Sequence, residues 1–156
     1  MKKHTLLICT IPAMRPVLVD ALSVRFNLAF CYTLREAVSL LDTGVDAVVC
    51  GIYFADGQVF DLLRLVKANP KTKHIPFFTA YGSAGELMTG VEQGIETATR
   101  ALGGEGFIPL TRWRSESGDD KAFEKVRNRL DNALKDRAAK SGEEASVRAP
   151  VRGGPI

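Results

Sequence analysis

Few side chains in this sequence could do chemistry, and their spacing does not bring them together. The three cysteines, Cys9, Cys31 and Cys50, all sit inside apolar runs. Cys9 and Cys50 would suit a redox pair or a soft-metal site, since thiolates select soft cations. Against that, neighbouring residues of a strand face opposite ways, and buried free cysteines usually behave as small hydrophobes. His4 and His74 stand alone at element ends, where a solvated ring is expected. Asp56 precedes Gly57, and such a pair ordinarily makes a turn with the glycine at positive φ. Asp46 precedes an apolar run and reads as the cap of a strand. No nucleophile, base and orienting group converge as catalysis requires. Trp113, between Arg112 and Arg114, is the most suggestive surface feature. Trp and Arg are enriched at binding hot spots, but the same tryptophan could instead pack against the last helix.

The elements that would position these residues alternate. Thr5 to Ile11 is a continuous apolar strand, followed by Met14, Val17, Leu18, Ala21 and Leu22 at helical spacing over about 13–26. Leu28 to Tyr32 is a second strand. Thr33 and Glu36 then have capping-box spacing, and Ala37, Val38 and Leu41 line one helix face before Gly44 stops it. Ala47 to Ile52 is the third strand, and its helix buries Val59, Leu62, Leu63 and Val66 before Asn69-Pro70 ends it. Pro76 to Ala80 is a fourth strand. Ser83 and Glu86 open a helix with Leu87, Met88, Val91, Ile95 and Ala98 inward, stopped by Gly103-Gly104. Glu105 to Leu110 is a short fifth strand, weakened by Gly106 and Pro109. A loop holding Trp113 leads to a last helix from about Asp119, with Phe123, Val126, Leu130 and Leu134 on one stripe.

Five strand–helix repeats with right-handed crossovers make an α/β fold, a parallel sheet covered on both faces. Open sheets of this kind put their chemistry at the carboxyl ends of the strands. At the end of the third strand this chain has Gly51, which carries no reactive side chain. Binding is therefore expected rather than catalysis.

Composition narrows the class further. The chain of 156 residues is long enough for one domain, 1–140, and a tail, 141–156, of Ser, Gly, Glu, Arg and Pro expected to be disordered. A net charge of +3 with the signs mixed does not make the clustered basic face that nucleic acid needs. An odd set of cysteines in apolar runs suggests reduced thiols and a cytoplasmic protein rather than a disulfide framework. Met1-Lys2-Lys3 and Leu6-Leu7-Ile8-Cys9 faintly resemble a signal or lipoprotein leader. The apolar run is too short and meets Pro12, so a first core strand is the reading. No stretch is long enough to span a membrane.

Over roughly residues 3 to 137 the pattern resembles the receiver domain of bacterial two-component response regulators. The likeness rests on the first strand and turn, Ile8 to Arg15, and on the third strand and its loop, Asp46 to Gly57. It also rests on Ile75-Pro76 opening the fourth strand and on Gly103 to Leu110 approaching the fifth. The resemblance implies a flavodoxin-like (βα)5 three-layer sandwich with strand order 2-1-3-4-5. The family phosphorylates an aspartate at the end of the third strand. Two acidic residues after the first strand help to hold Mg²⁺, and a lysine after the fifth strand pairs with the phosphoryl group. Position by position, the acidic pair falls on Cys9 and Thr10, the phosphoacceptor on Gly51, and the lysine on Leu110. The proline that follows the lysine falls on Thr111. The hydroxyl after the fourth strand falls on Thr79 by type or on Tyr81 by spacing, and the aromatic of the fifth strand on Phe107.

The resemblance therefore implies a degenerate receiver with no cofactor and no metal, working without phosphorylation through protein contacts. The surface implied is the family's output and dimerisation face, made by the fourth helix, fifth strand and fifth helix. Here that face would include Phe107, Arg112 and Trp113, with Tyr81 nearby, and no effector domain is expected after the last helix. A second expectation is a small-molecule or cofactor binder on the same architecture. The first loop, Thr10 to Arg15, has no glycine to let amides approach a phosphate, which counts against it. A small enzyme ranks last.

Overall fold

The computed structural model describes residues 2–85, 87 and 89–153, with the side chains of 89 and 140–153 excepted. Five parallel strands form one sheet: β1 (Thr5–Cys9), β2 (Asn27–Cys31), β3 (Ala47–Gly51), β4 (Phe77–Tyr81) and β5 (Gly106–Pro109). Their order is β2-β1-β3-β4-β5. Six helices cover it: α1 (Arg15–Leu22), α2 (Leu34–Leu41), α3 (Val59–Ala68), α4 (Thr89–Ala101), α5 (Leu110–Ser117) and α6 (Asp119–Gly153). The fold is the expected flavodoxin-like α/β sandwich. The tail expected at 141–156 lies outside the residues whose side chains are described.

Strand runs that are apolar throughout are what a sheet covered on both faces demands. Leu6, Leu7, Ile8 and Cys9 of β1 are all fully buried. Alternate residues serve opposite layers. Leu6, Ile8, Val49 and Phe78 join α1 and α6 through Leu22, Val126 and Leu130. Leu7, Val48 and Phe77 join α2 and α3 through Leu41, Leu62 and Leu63. Asp46 caps the amino end of the sheet, its carboxylate accepting from the Thr5 amide at 2.8 Å and its carbonyl from Arg137 at 2.8 Å. The Thr33–Glu36 capping box that opens α2 is present with both halves made.

Four local expectations change. α4 starts at Thr89 rather than Ser83, because Gly85 has φ +88 and a helix cannot pass through it. Glu86 and Met88 lie outside the described residues. Val91 is 45% exposed, since α4 meets the sheet through its second half, where Thr99 is buried. Val38 is exposed because α2 packs through Ala37 and Leu41, one turn apart. The stretch expected as a loop around Trp113 is helix α5. It is supported by an Arg112–Glu116 ion pair at 3.0 Å and stopped by Gly118 at φ +83.

The outer edge of β5 is blunted by two charged side chains. The Phe107 amide donates to the Glu96 carboxylate of α4, and the Phe107 carbonyl accepts from Arg129 of α6. An edge strand whose backbone groups are occupied does not template pairing with another chain. Burial raises the Glu96 carboxyl, but the hydrogen bonds from Arg100 and from the Phe107 amide, with the charges of Arg100 and Arg129, outweigh it. The net effect holds the group below its ordinary 4.5. A carboxyl depressed in the folded state stabilises the fold above its unfolded pKa and loses that contribution as pH falls through the folded value. Glu96→Gln is expected to lower stability at neutral pH. Its deficit against the parent should shrink in urea titrations taken from pH 7 to below pH 4.5.

Candidate functional site

In-register pairing brings the carboxyl ends of β1, β3 and β4 to one edge. Cys9 lies beside Cys50, and Gly51 beside Ala80. Just beyond this edge is a pocket of about 40 Å³ lined by Thr10, Met14, Gly51, Tyr53, Tyr81 and Leu110 among others. A water needs ~10–15 Å³ on this measure, so the space suits two or three waters. None of the described residues lining it is Asp, Glu, Lys, Arg or His. Among the described residues no cluster of three His, Cys, Asp or Glu could hold a metal ion.

Apolar side chains occupy the ground instead. Leu110, the first residue of α5, is 4% exposed and points into the pocket, and Met14 meets it there. The two close over Gly82 so tightly that a Cβ at that position would lie 2.5 Å from the Met14 methyl and 3.3 Å from Leu110. Thr10 is 5% exposed, and its amide donates to the Cys31 carbonyl at 3.1 Å. A Cβ at Gly51 would sit 3.7 Å from the Thr10 hydroxyl oxygen and 3.7 Å from the Cys9 carbonyl, in ordinary van der Waals contact. The position is therefore not held to glycine by space.

The two candidates for the hydroxyl position part company. Thr79 does not line the pocket; it is fully buried and shares a 2.8 Å hydrogen bond with Thr99 of α4. Tyr81 does line it, and its hydroxyl donates to the carbonyls of Gly85 at 2.6 Å and Ala84 at 2.9 Å. Burial, and then the neighbouring Tyr53, push the Tyr81 phenol up. Tyr53 meets Tyr81 edge-to-face with ring centroids 5.9 Å apart. The hydroxyl thus anchors the β4–α4 loop. Thr111 ties the same loop to α5, its hydroxyl donating to the Ser83 carbonyl at 2.7 Å.

The expected binding surface also needs correction. Tyr81, Phe107 and Trp113 are 6%, 4% and 7% exposed, so three of the four residues expected on a protein-binding face are interior. Trp113 belongs to the core shared with α6 and lies under the Lys125 ammonium, 4.4 Å from its ring centre. Its helix turns the ring inward, which a loop need not do. Arg112 is the exposed member, and Glu92 at 2.9 Å and Glu116 at 3.0 Å both pair with it. Around it Glu92, Glu96, Phe107, Pro109, Trp113 and Arg129 line a groove of about 480 Å³ between α4, β5 and α5. Glu96 and Arg129 were not legible as site residues. Each is a charged residue on an amphipathic helix, and only the sheet edge makes it special.

Asp56 and Gly57 do form a turn, with Gly57 at φ +91. Ala55 and Asp56 are also left-handed, at φ 48 and φ 58, the two non-glycine residues among those described that are so. The loop after β3 thus carries backbone strain of about 1–2 kcal/mol at Ala55, beside the pocket wall made by Phe54.

No protein-family model matches the sequence, and no curated protein matches it. Solved structures do match its shape. A protein of Chloroflexus aurantiacus assigned as a response regulator has TM-score 0.63 at 20% identity, covering 86% of this chain and 99% of its own. The signal receiver domain of an HD domain-containing protein from Pseudomonas fluorescens has TM-score 0.64 at 15% identity, covering 90% of this chain and 93% of its own. The chemotaxis response regulator CheY4 of Vibrio cholerae has TM-score 0.61 at 11% identity, covering 81% and 98%. At these identities the likeness is one of fold. The chain has the fold of response-regulator receiver domains.

Two tests follow from this geometry. Gly51→Ala is expected to stay within about 1 kcal/mol of the parent, on the stabilising side because it restricts the unfolded chain. Gly51→Asp should lose about 1–3 kcal/mol by placing a carboxylate among apolar groups. Trp113→Ala should cost about 3–5 kcal/mol, and Arg112→Ala no more than about 0.5 kcal/mol. Urea denaturation of the four variants checks both contrasts.

Proposed function

We propose that the chain is a receiver-like signalling module that works without phosphorylation and acts through protein contacts. One observation carries this reading: among the described residues that line the pocket at the carboxyl edge of the sheet there is no carboxylate and no lysine. Acyl-phosphate formation needs a carboxylate nucleophile. Its Mg²⁺ needs hard oxygen ligands, which a thiol, a hydroxyl and a glycine supply poorly. At Cys9, Thr10, Gly51 and Leu110 the chemistry that the receiver resemblance implies has no donors. The pocket is degenerate in a consistent way, since each change removes the partner that another would have needed.

The size of the pocket argues against a small molecule or cofactor held at the carboxyl edge of the sheet, because drug-sized ligands occupy cavities of roughly 300–1,000 Å³. Among the described residues no helix is long and apolar enough to cross a membrane. The signalling surface under this reading is the α4–β5–α5 side, with the groove around Arg112 at its centre. A protein partner or a second copy of the chain would meet Arg112, Glu92 and Glu116 there rather than an aromatic anchor, because Trp113 is interior.

Incubation with acetyl phosphate and Mg²⁺ tests the reading. The intact protein is expected to gain no phosphate by mass spectrometry. Stoichiometric, acid-stable and base-labile phosphate on any aspartate would sink it.

A further inference from the structure

Register alone lines up three thiols. Cys31 of β2 pairs with Cys9 of β1, and Cys9 pairs with Cys50 of β3. Residues in register on adjacent strands face the same way, and all three join the layer between the sheet and helices α2 and α3. Cys9 and Cys50 therefore do not face apart, as the alternation along a single strand suggested. The Cys31 thiol donates to the Cys9 sulfur at 3.4 Å, whereas Cys50 turns its thiol to the Gly51 carbonyl at 3.8 Å. Cys9 and Cys31 are the pair.

Two sulfurs this close can take a soft cation or become a disulfide. The cation needs both thiols deprotonated in an apolar layer, which leaves charge where no counter-ion stands. A disulfide is neutral and apolar and fits the same place. Neighbouring strands lie ~4.7–4.9 Å apart, inside the ~4.4–6.8 Å window of Cα separations that disulfides use. Access comes from β2, which is the edge strand and whose residues before Cys31 are half-buried or exposed.

We propose that Cys9 and Cys31 form a reversible oxidation site that closes to a disulfide with a peroxide as oxidant. The sulfur of one cysteine attacks a peroxide oxygen, the O–O bond breaks, and a sulfenic acid and one water form. The second sulfur then displaces the hydroxyl as water, making the S–S bond. Two thiols lose two protons and two electrons, and one hydrogen peroxide is reduced to two waters. A dithiol reductant reverses the change. Burial holds the Cys9 thiol protonated, and the Cys9 contact with burial does the same for Cys31, so the reaction requires β2 to open. The bond would staple the edge strand to the strand that leads into Thr10.

The test is hydrogen peroxide on the native full chain, followed by thiol blocking and non-reducing peptide mapping. The expected product has lost two hydrogens, carries a cross-link between the Cys9 and Cys31 peptides, and returns to the parent mass with dithiothreitol. Cys50→Ala should still cross-link, and Cys31→Ala should not. Three blocked thiols with no cross-link in a chain that circular dichroism shows folded would overturn the proposal. A Cys9–Cys50 linkage would overturn it equally. The wild-type map decides even where a variant fails to fold.

Discussion

None of the described side chains lining the pocket at the carboxyl ends of β1, β3 and β4 is charged, and much of the molecule follows from that. A charged group there would need water, a counter-ion or a metal to offset its desolvation. With none present, the ends of β1, β3 and β4 can be sealed by side chains from three directions. Met14 comes from the turn before α1, Leu110 from the start of α5, and the two tyrosines from β4 and the loop after β3. Once sealed, the edge holds its own loops. The Tyr81 hydroxyl fixes the β4–α4 loop from inside, and Thr111 fixes it from α5. An aspartate at position 51 would have to compete with this packing.

The two open edges of the sheet are managed by related devices. At β5, Glu96 and Arg129 occupy the amide and carbonyl of Phe107, and Arg129 also lies 5.4 Å over the Phe78 ring. That arrangement links α4, β5 and α6 through charge-assisted bonds. It requires Gly106, since a Cβ there would meet the Glu96 carboxylate at 2.9 Å. At β2 the Glu36 carboxylate accepts from the Tyr32 amide just past the strand at 3.1 Å, and Arg15 lies 4.7 Å over the Phe30 ring. The strand is held by its pairing with β1 and ends in the thiol contact of Cys31 with Cys9. Both edges thus carry a carboxylate on a backbone amide and an arginine over a ring, and β2 adds a sulfur contact that can change with oxidation state.

Opposite the sealed edge, the amino ends of β1 and β3 are held by one side chain. Asp46 accepts from the Thr5 amide, and its own amide donates to the Thr5 carbonyl at 2.8 Å. This double contact sets the register of β1 on β3 before either strand reaches the pocket. Because the strands are parallel, a register fixed at Thr5 and Asp46 carries through to Cys9 and Cys50. The uncharged pocket lining at one end of the sheet thus goes with an acidic cap at the other.

The alternation of apolar runs and helical periods was enough to place all five strands, α2, α3 and the buried stripe of α6, because burial demands hydrophobicity at fixed spacing. It was also enough to show that positions 9, 10, 51 and 110 lack acid and lysine, since that is residue identity. Other features were out of reach. That α5 is a helix, and which of its two open alternatives Trp113 takes, depends on α6 lying beneath it. Thr79 and Tyr81 share one face of β4, so which of them lines the pocket depends on how far along the strand the pocket lies. The Cys9–Cys31 contact depends on register across strands 22 residues apart in sequence. A sequence states which groups exist and how often they recur along one element. Which groups meet is decided only when different elements pack, since contact between strands or helices has no period in the chain.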